Sequence, residues 1–293
     1  MTVAAATPPR IAARKPWRRR LLRRSAYNGI AAVVLVVMAF PVYWMVSTAF
    51  KPGLDITAYK PQWIPFHPTL VHFTDAIHTP YFWNGVENSL IVVTAVVIAS
   101  IALAFLAAIA LAKFRFSGRA IFIVLVIMIQ MLPQNALIIP LYVVLAKYHE
   151  TNKLSGLVVT YLTFVLPFAI WTLRGFILGI PRDLEEAAMV DGDSRTKAFF
   201  KILLPLVGPG LVATSIFCFI QAWNEFIFAY ILLSDQQKQT LTIWLSNFTG
   251  TSRGMDWGVL MAGATLTAIP VVIFFLIVQR RIAFGLTSGA VRG

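Results

Sequence analysis

Glu186-Ala187-Ala188-Met189-Val190-Asp191-Gly192, followed after nine residues by Ile202-Leu203-Leu204-Pro205, is the longest interval in the second half of the chain that is not apolar yet reads as ordered. Pro181-Arg182-Asp183 opens a helix, because proline is tolerated in a first turn. Asp183, Glu185 and Glu186 suit its positive dipole end. Leu184, Ala187 and Ala188 recur at helical spacing and make one smooth, small-residue face. Asp191-Gly192 ends the helix, since glycine accepts the left-handed conformation of a helix C-terminus. Asp193 or Ser194 can cap a second helix, in which Phe199, Ile202 and Leu203 form an apolar stripe opposite Arg195 and Lys201. Pro205 is expected to break the pattern. The expectation is two short helices meeting at a glycine corner.

Such a stretch reads in two ways. It could lie on lipid headgroups as an interfacial helix. Against that, the alanine pair offers little apolar bulk, and Glu185 and Glu186 would face anionic lipid. A protein partner removes both objections.

The surroundings are apolar. Of 293 residues, 58% are hydrophobic and 13% charged, which points to a polytopic membrane protein. Six runs are long enough to cross a bilayer: Ala26 to about Phe50, then roughly Asn88–Ala112, Arg119–Ala146, Leu154–Leu178, Leu204–Leu233 and Trp257–Arg280. The first is too long for a signal-peptide core and lacks a small-residue cleavage site, so it reads as retained. Residues 1–25 carry eight basic residues and no acid. With the N-terminus inside, nineteen Lys and Arg fall on inner segments and six on outer loops (Lys51, Lys60, Lys147, Lys153, Lys238 and Arg253). The positive-inside rule then places both termini and the corner in the cytoplasm, and explains the net charge of +13 without nucleic acid. The single Cys218 lies in an apolar run and allows no internal disulfide.

Glu-Ala-Ala, three residues, Gly, nine residues, Ile, one residue, Leu-Pro resembles the EAA signature of permease subunits of bacterial binding-protein-dependent ABC importers. Glu186, Ala187, Ala188, Gly192, Ile202, Leu204 and Pro205 fill every consensus position. The resemblance implies an all-α integral membrane protein with the six-helix type I ABC importer permease fold. Its cytosolic coupling helix would dock in a cleft of a separate ATPase, with Glu186 facing a basic residue there and Gly192 making the corner. The C-terminal Gly285-Leu286-Thr287-Ser288-Gly289-Ala290-Val291-Arg292-Gly293 is similar to the tail of the smaller permease of maltose-type sugar importers, which reaches between the two ATPase subunits. Together with Trp223-Asn224-Glu225 and the six-span layout, it narrows the resemblance to carbohydrate importers.

The implied organisation is a basic cytoplasmic tail over 1–25, a six-span permease domain over 26–281 with its coupling region at 181–205, and a cytoplasmic tail over 282–293. The implied partners are a second permease, two cytosolic ATPase subunits, an extracytoplasmic sugar-binding protein and the lipid of a bacterial inner membrane. ATP and Mg would be used by the ATPase, and this chain would bind no cofactor.

Polar groups inside spans mark a pathway or a structural network. The third span carries Gln130, Gln134 and Asn135 around Pro133, a kinked, amide-bearing candidate wall for a hydroxyl-rich solute. The fifth carries Gln221, Trp223, Asn224 and Glu225. These either line the path, with Trp223 stacking on a sugar, or close hydrogen bonds between helices. The first outer loop, about 51–87, is rich in proline and aromatics and suits an extended cap. In the last outer loop Thr249-Gly250-Thr251-Ser252-Arg253 either forms a plain polar turn or, as the resemblance implies, probes the binding protein.

No G-x-x-x-x-G-K-[ST] occurs, so a P-loop is excluded. Gly208-Pro209-Gly210 matches a dinucleotide fingerprint only weakly and begins a span rather than following a strand. The four histidines lack metal-ligand spacing, and no Ser/His/Asp arrangement suggests hydrolysis. Three rivals stand beside it: an ion-coupled secondary sugar carrier, which needs charged midplane helices and repeats not seen here; a membrane-embedded enzyme or assembly factor, which should show a catalytic cluster at one membrane face; and an ABC importer for a non-sugar solute.

Overall fold

The computed structural model of the protein describes residues 17–249 and 256–289, with side-chain surroundings over 25–249 and 256–279. Among these, every regular element is helical. A long helix α1 (Trp17–Ala49) leads to a connection carrying α2 (Gly53–Ile56) and α3 (Val71–His78), then α4 (Phe82–Lys113). Next come α5 (Arg119–Met131), α6 (Ile138–Lys147) and α7 (Leu154–Leu178). The corner follows as α8 (Asp183–Val190) and α9 (Arg195–Ala198). The chain closes with α10 (Leu204–Asn224), α11 (Ile227–Leu232), α12 (Leu241–Ser246) and α13 (Trp257–Gly289). Five helices are long and apolar enough to span, and six segments are if the bent pair at Pro133 counts as one.

The core is the α4–α7 pair, with α10 packed on both. On α4, Val96, Ser100, Ala104 and Ala108 recur every four residues with no exposure. On α7, Leu157, Tyr161, Val165, Ala169, Leu173 and Ile177 do the same at 0–1%. Small side chains let the helix backbones approach closely, which drives association where lipid supplies no hydrophobic force. Gly210 of α10 belongs to this packing: a Cβ there would meet the Phe176 ring at 2.5 Å. The weak dinucleotide pattern is thus a helix-packing glycine.

Cross-links define the two ends of the bundle. At one end, the Asn88 amide donates to Gln237 O and Gln239 O, Asn152 N donates to Leu232 O, and His72 Nε2 meets Lys51 O at 3.0 Å. At the other, Lys113 pairs with Glu185.

Five expectations are corrected. The third span is no single kinked helix: the chain turns by 99° between Met131 and Gln134, because Leu132 is extended ahead of Pro133. The fifth span stops at Asn224, where Glu225 turns extended, and α11 is separate. Pro205 does not end a helix. A five-residue π turn, Phe199–Leu203, lets Leu204 N reach back to Phe199 O, and the helix runs on from Arg195 to Asn224. The wider turn accommodates the proline, which can neither donate nor sit against the carbonyl four residues earlier. The first outer loop is partly helical through α2 and α3 rather than wholly extended. The last helix also continues to Gly289, through most of the stretch expected as a tail.

Candidate functional site

The corner is fixed almost entirely by its own sequence. Arg182 O receives Glu185 N and Glu186 N as α8 begins, with Asp183, Glu185 and Glu186 in its first turn. At its end Gly192 N donates to Met189 O and Asp193 N to Ala188 O, the paired bonds of a Schellman motif. Gly192 sits at φ +92°, where a side chain is disfavoured. Ser194 Oγ then accepts from Lys197 N and caps α9. Beneath the turn, the Asp193 carboxylate holds Lys197 at 2.6 Å and Lys201 at 2.9 Å. Their hydrogen bonds keep its pKa below the usual carboxylate value.

An ion pair ties α8 to the bundle: Lys113 Nζ, at the end of α4, lies 2.5 Å from Glu185 Oε1. Ala188 is buried whereas Ala187 is exposed, so the two alanines do not share one outward face. Glu186 and Ala187 are exposed, as are Leu184, Met189 and, at 88%, Val190. Ile202 and Leu204 are half-buried and Pro205 exposed. Between the corner and the end of α4 lies a cleft of about 290 Å³ lined by Arg115, Arg182, Arg195, Glu185, Glu186 and Met189 among others. Acidic, basic and apolar groups thus face outward together, on a turn closed by its own hydrogen bonds. The Glu185–Lys113 pair was not anticipated, although a lysine ending a long apolar run is a readable anchor.

Within the membrane segments, Gln130, Gln134 and Gln221 converge. They line one cleft of about 130 Å³ with Thr163, Phe164, Phe168 and Phe217. Phe168 and Phe217 are stacked with centroids 3.7 Å apart. The break at Pro133 creates the site by carrying Gln134 back toward Gln130. The cleft offers amide donors and acceptors beside aromatic faces, a lining suited to hydroxyl-rich solutes. The aromatic members were missed because nothing in their local sequence separates them from lipid-facing phenylalanines.

The remaining polar candidates lie elsewhere. Trp223 is 3% exposed, stacks on Phe219 at 5.6 Å and donates its indole N–H to Thr267 O. It is packed between α10 and α13 and presents no face to a sugar. Asn224 donates to Ile220 O of its own helix. Glu225 accepts from Phe228 N, Ala229 N and the Tyr161 hydroxyl, so it closes the α10–α11 break and joins it to α7. Of the two readings of Glu225, this is the structural network. Asn135 lies outside the lining of the cleft. In the last outer loop, exposed Thr249 donates to Ser246 O; Gly250, Thr251, Ser252 and Arg253 lie outside the described residues.

A helical multi-span protein with an exposed corner at one end and a polar cleft among its spans has the parts expected of a membrane transport subunit. The chain belongs to the family of binding-protein-dependent transport system inner membrane components, which it matches over residues 100–288. It is 43% identical to the diacetylchitobiose uptake system permease protein DasC of Streptomyces coelicolor, over 94% of this chain and 100% of that one. It is 36% identical to the trehalose transport system permease protein SugB of Mycobacterium tuberculosis, covering 92% and 99%. With the trehalose/maltose transport system permease protein MalG of Thermococcus litoralis it shares 32% identity, covering 94% and 99%. Its fold matches a chain of a bacterial ABC transporter that imports the acidic polysaccharide alginate, with TM-score 0.75 at 20% identity, covering 92% and 99%.

Proposed function

We propose that this chain is one of two permease subunits of an ATP-driven importer for a di- or oligosaccharide, and that residues 181–205 couple it to a separate ATPase. The observation that carries the reading is the outward-facing corner, closed by its own hydrogen bonds and pinned to α4 through Glu185 and Lys113. A lever must move as one body, and this turn is built to. The full-length similarity to permeases of diacetylchitobiose and trehalose systems supports a carbohydrate as cargo.

In this reading the corner faces the cytoplasm, where Glu186 meets a basic group of the ATPase and Val190 and Met189 fill apolar depressions. Two ATPase copies hydrolyse ATP with Mg, and this chain does no covalent chemistry. A sugar-binding protein docks at the opposite end of the bundle. Gln130, Gln134 and Gln221 receive hydroxyl groups in passage, with Phe168 and Phe217 against the apolar faces of the sugar rings. Each partner favours a different state of the bundle, which is what a shift of population requires.

The test is co-purification from native membranes. A P-loop ATPase is expected to accompany the wild-type chain and to be lost with Glu186→Lys while membrane insertion is retained. Equal recovery with both would remove the coupling assignment.

A further inference from the structure

At the end of the bundle remote from the corner, Lys51 is 2% exposed, yet its ammonium makes no hydrogen bond or ion pair among the described residues. It lies 4.0 Å over the Trp44 ring and faces a cavity of about 310 Å³. The Thr48 hydroxyl, in the same wall, is buried without a partner. A buried hydroxyl without a partner and, one helical turn on, an ammonium held only by a ring face and the distant pull of Asp55 call for a ligand, because leaving them dry is costly. Their backbone is already fixed: Lys51 N donates to Thr48 O, and Lys51 O meets His72 Nε2. Across the cavity Gln62 donates to Asp55 Oδ1 at 3.0 Å, which leaves the other carboxylate oxygen available. Burial lowers the Lys51 pKa, against the pull of Asp55.

We infer that this cavity binds the headgroup of a zwitterionic phospholipid, with its phosphodiester oxygens on Lys51 and Thr48 and its ammonium on Asp55 and the Trp257 ring. Three observations choose this occupant. The wall carries one positive and one negative group, so its charge matches a zwitterion rather than an anion. Trp44, Trp63 and Trp257 place it at the depth of an aromatic belt. It lies between α1 and α13, beside a helix whose apolar window is wholly unburied, so acyl chains have a surface to follow. The site depends on the chain spanning a membrane and not on which solute it carries.

The experiment is native mass spectrometry of the purified transporter after exposure to equal amounts of phosphatidylethanolamine and phosphatidylglycerol. The wild type is expected to retain the ethanolamine lipid preferentially, and Lys51→Met to lose that retention by about tenfold, the worth of one charge-assisted hydrogen bond. Asp55→Asn should swing the preference toward phosphatidylglycerol, an effect that general destabilisation cannot mimic. Soluble glycerophosphoethanolamine should not displace the lipid; displacement would mean a site for the free zwitterion and overturn the lipid assignment. So would equal retention by wild type and Lys51→Met, a wild-type preference for phosphatidylglycerol, or a benzophenone side chain at position 58 that captures a protein partner instead of lipid. Sugar uptake in phosphatidylglycerol-only vesicles should persist, so failure here leaves the permease reading intact.

Discussion

The corner at residues 183–203 and the glutamine cleft both hold polar groups, by opposite means. In the corner, the Schellman bonds, the Ser194 cap and the Asp193 pairs join residues at most eight apart. In the cleft, Gln130 and Gln221 come from distant helices and meet only because α5, α7 and α10 pack together. The first can therefore move as a unit without changing shape. The second changes shape whenever the helices shift. A transporter needs both: one region that transmits displacement and one whose affinity responds to it.

The largest expected effect lies in the corner. Gly192→Asp forces a side chain into the left-handed region, at a cost of roughly 1–2 kcal/mol, and sets a third negative charge between Asp191 and Asp193. Sugar uptake should fall to background in intact cells while the protein remains inserted. Gly192→Asn, which adds a side chain of the same size without the charge, should keep most activity. If both variants transport normally, the corner is no lever. A smaller effect belongs to the cleft. Gln130→Leu combined with Gln221→Leu should raise the KM for uptake about tenfold, the worth of one or two neutral hydrogen bonds. Recovery of the ATPase should be unchanged. Loss of ATPase binding instead would show that the two regions are not separable.

The smallest effect is a pH dependence. Asp193 has a depressed pKa when folded, so the stability it lends is present above its unfolded value and is lost as pH falls through the folded one. Protease cleavage between residues 190 and 195 should therefore rise on acidification below the ordinary carboxylate range. Asp193→Asn should cleave readily at all pH values and flatten the profile.

The same contrast explains what was legible. Proline, acid, glycine and serine at fixed offsets specify the corner, and each acts on its neighbours, so the order of letters nearly sufficed. It failed at Pro205, where the π turn absorbs a residue that ordinarily ends a helix. In the spans, apolar length revealed crossings but not partners. The four-residue recurrence of Ser100, Ala104, Ala108 and Ala112 marks the α4 face that packs on α7, a signal hidden inside a uniformly apolar run. The three glutamines were visible one by one, whereas their meeting depends on a 99° turn set by packing around Pro133. Glu225 shows the converse: a carboxylate inside an apolar run reads equally as pathway or as structural network, and three donors use it in the structure.

Reconstitution into liposomes tests the central claim most directly. Uptake of labelled sugar should require the second permease, the sugar-loaded binding protein, the ATPase and ATP together, and Gly192→Asp should leave assembly in the bilayer intact while abolishing it. Uptake by the permeases alone, driven by a proton or sodium gradient, would contradict it.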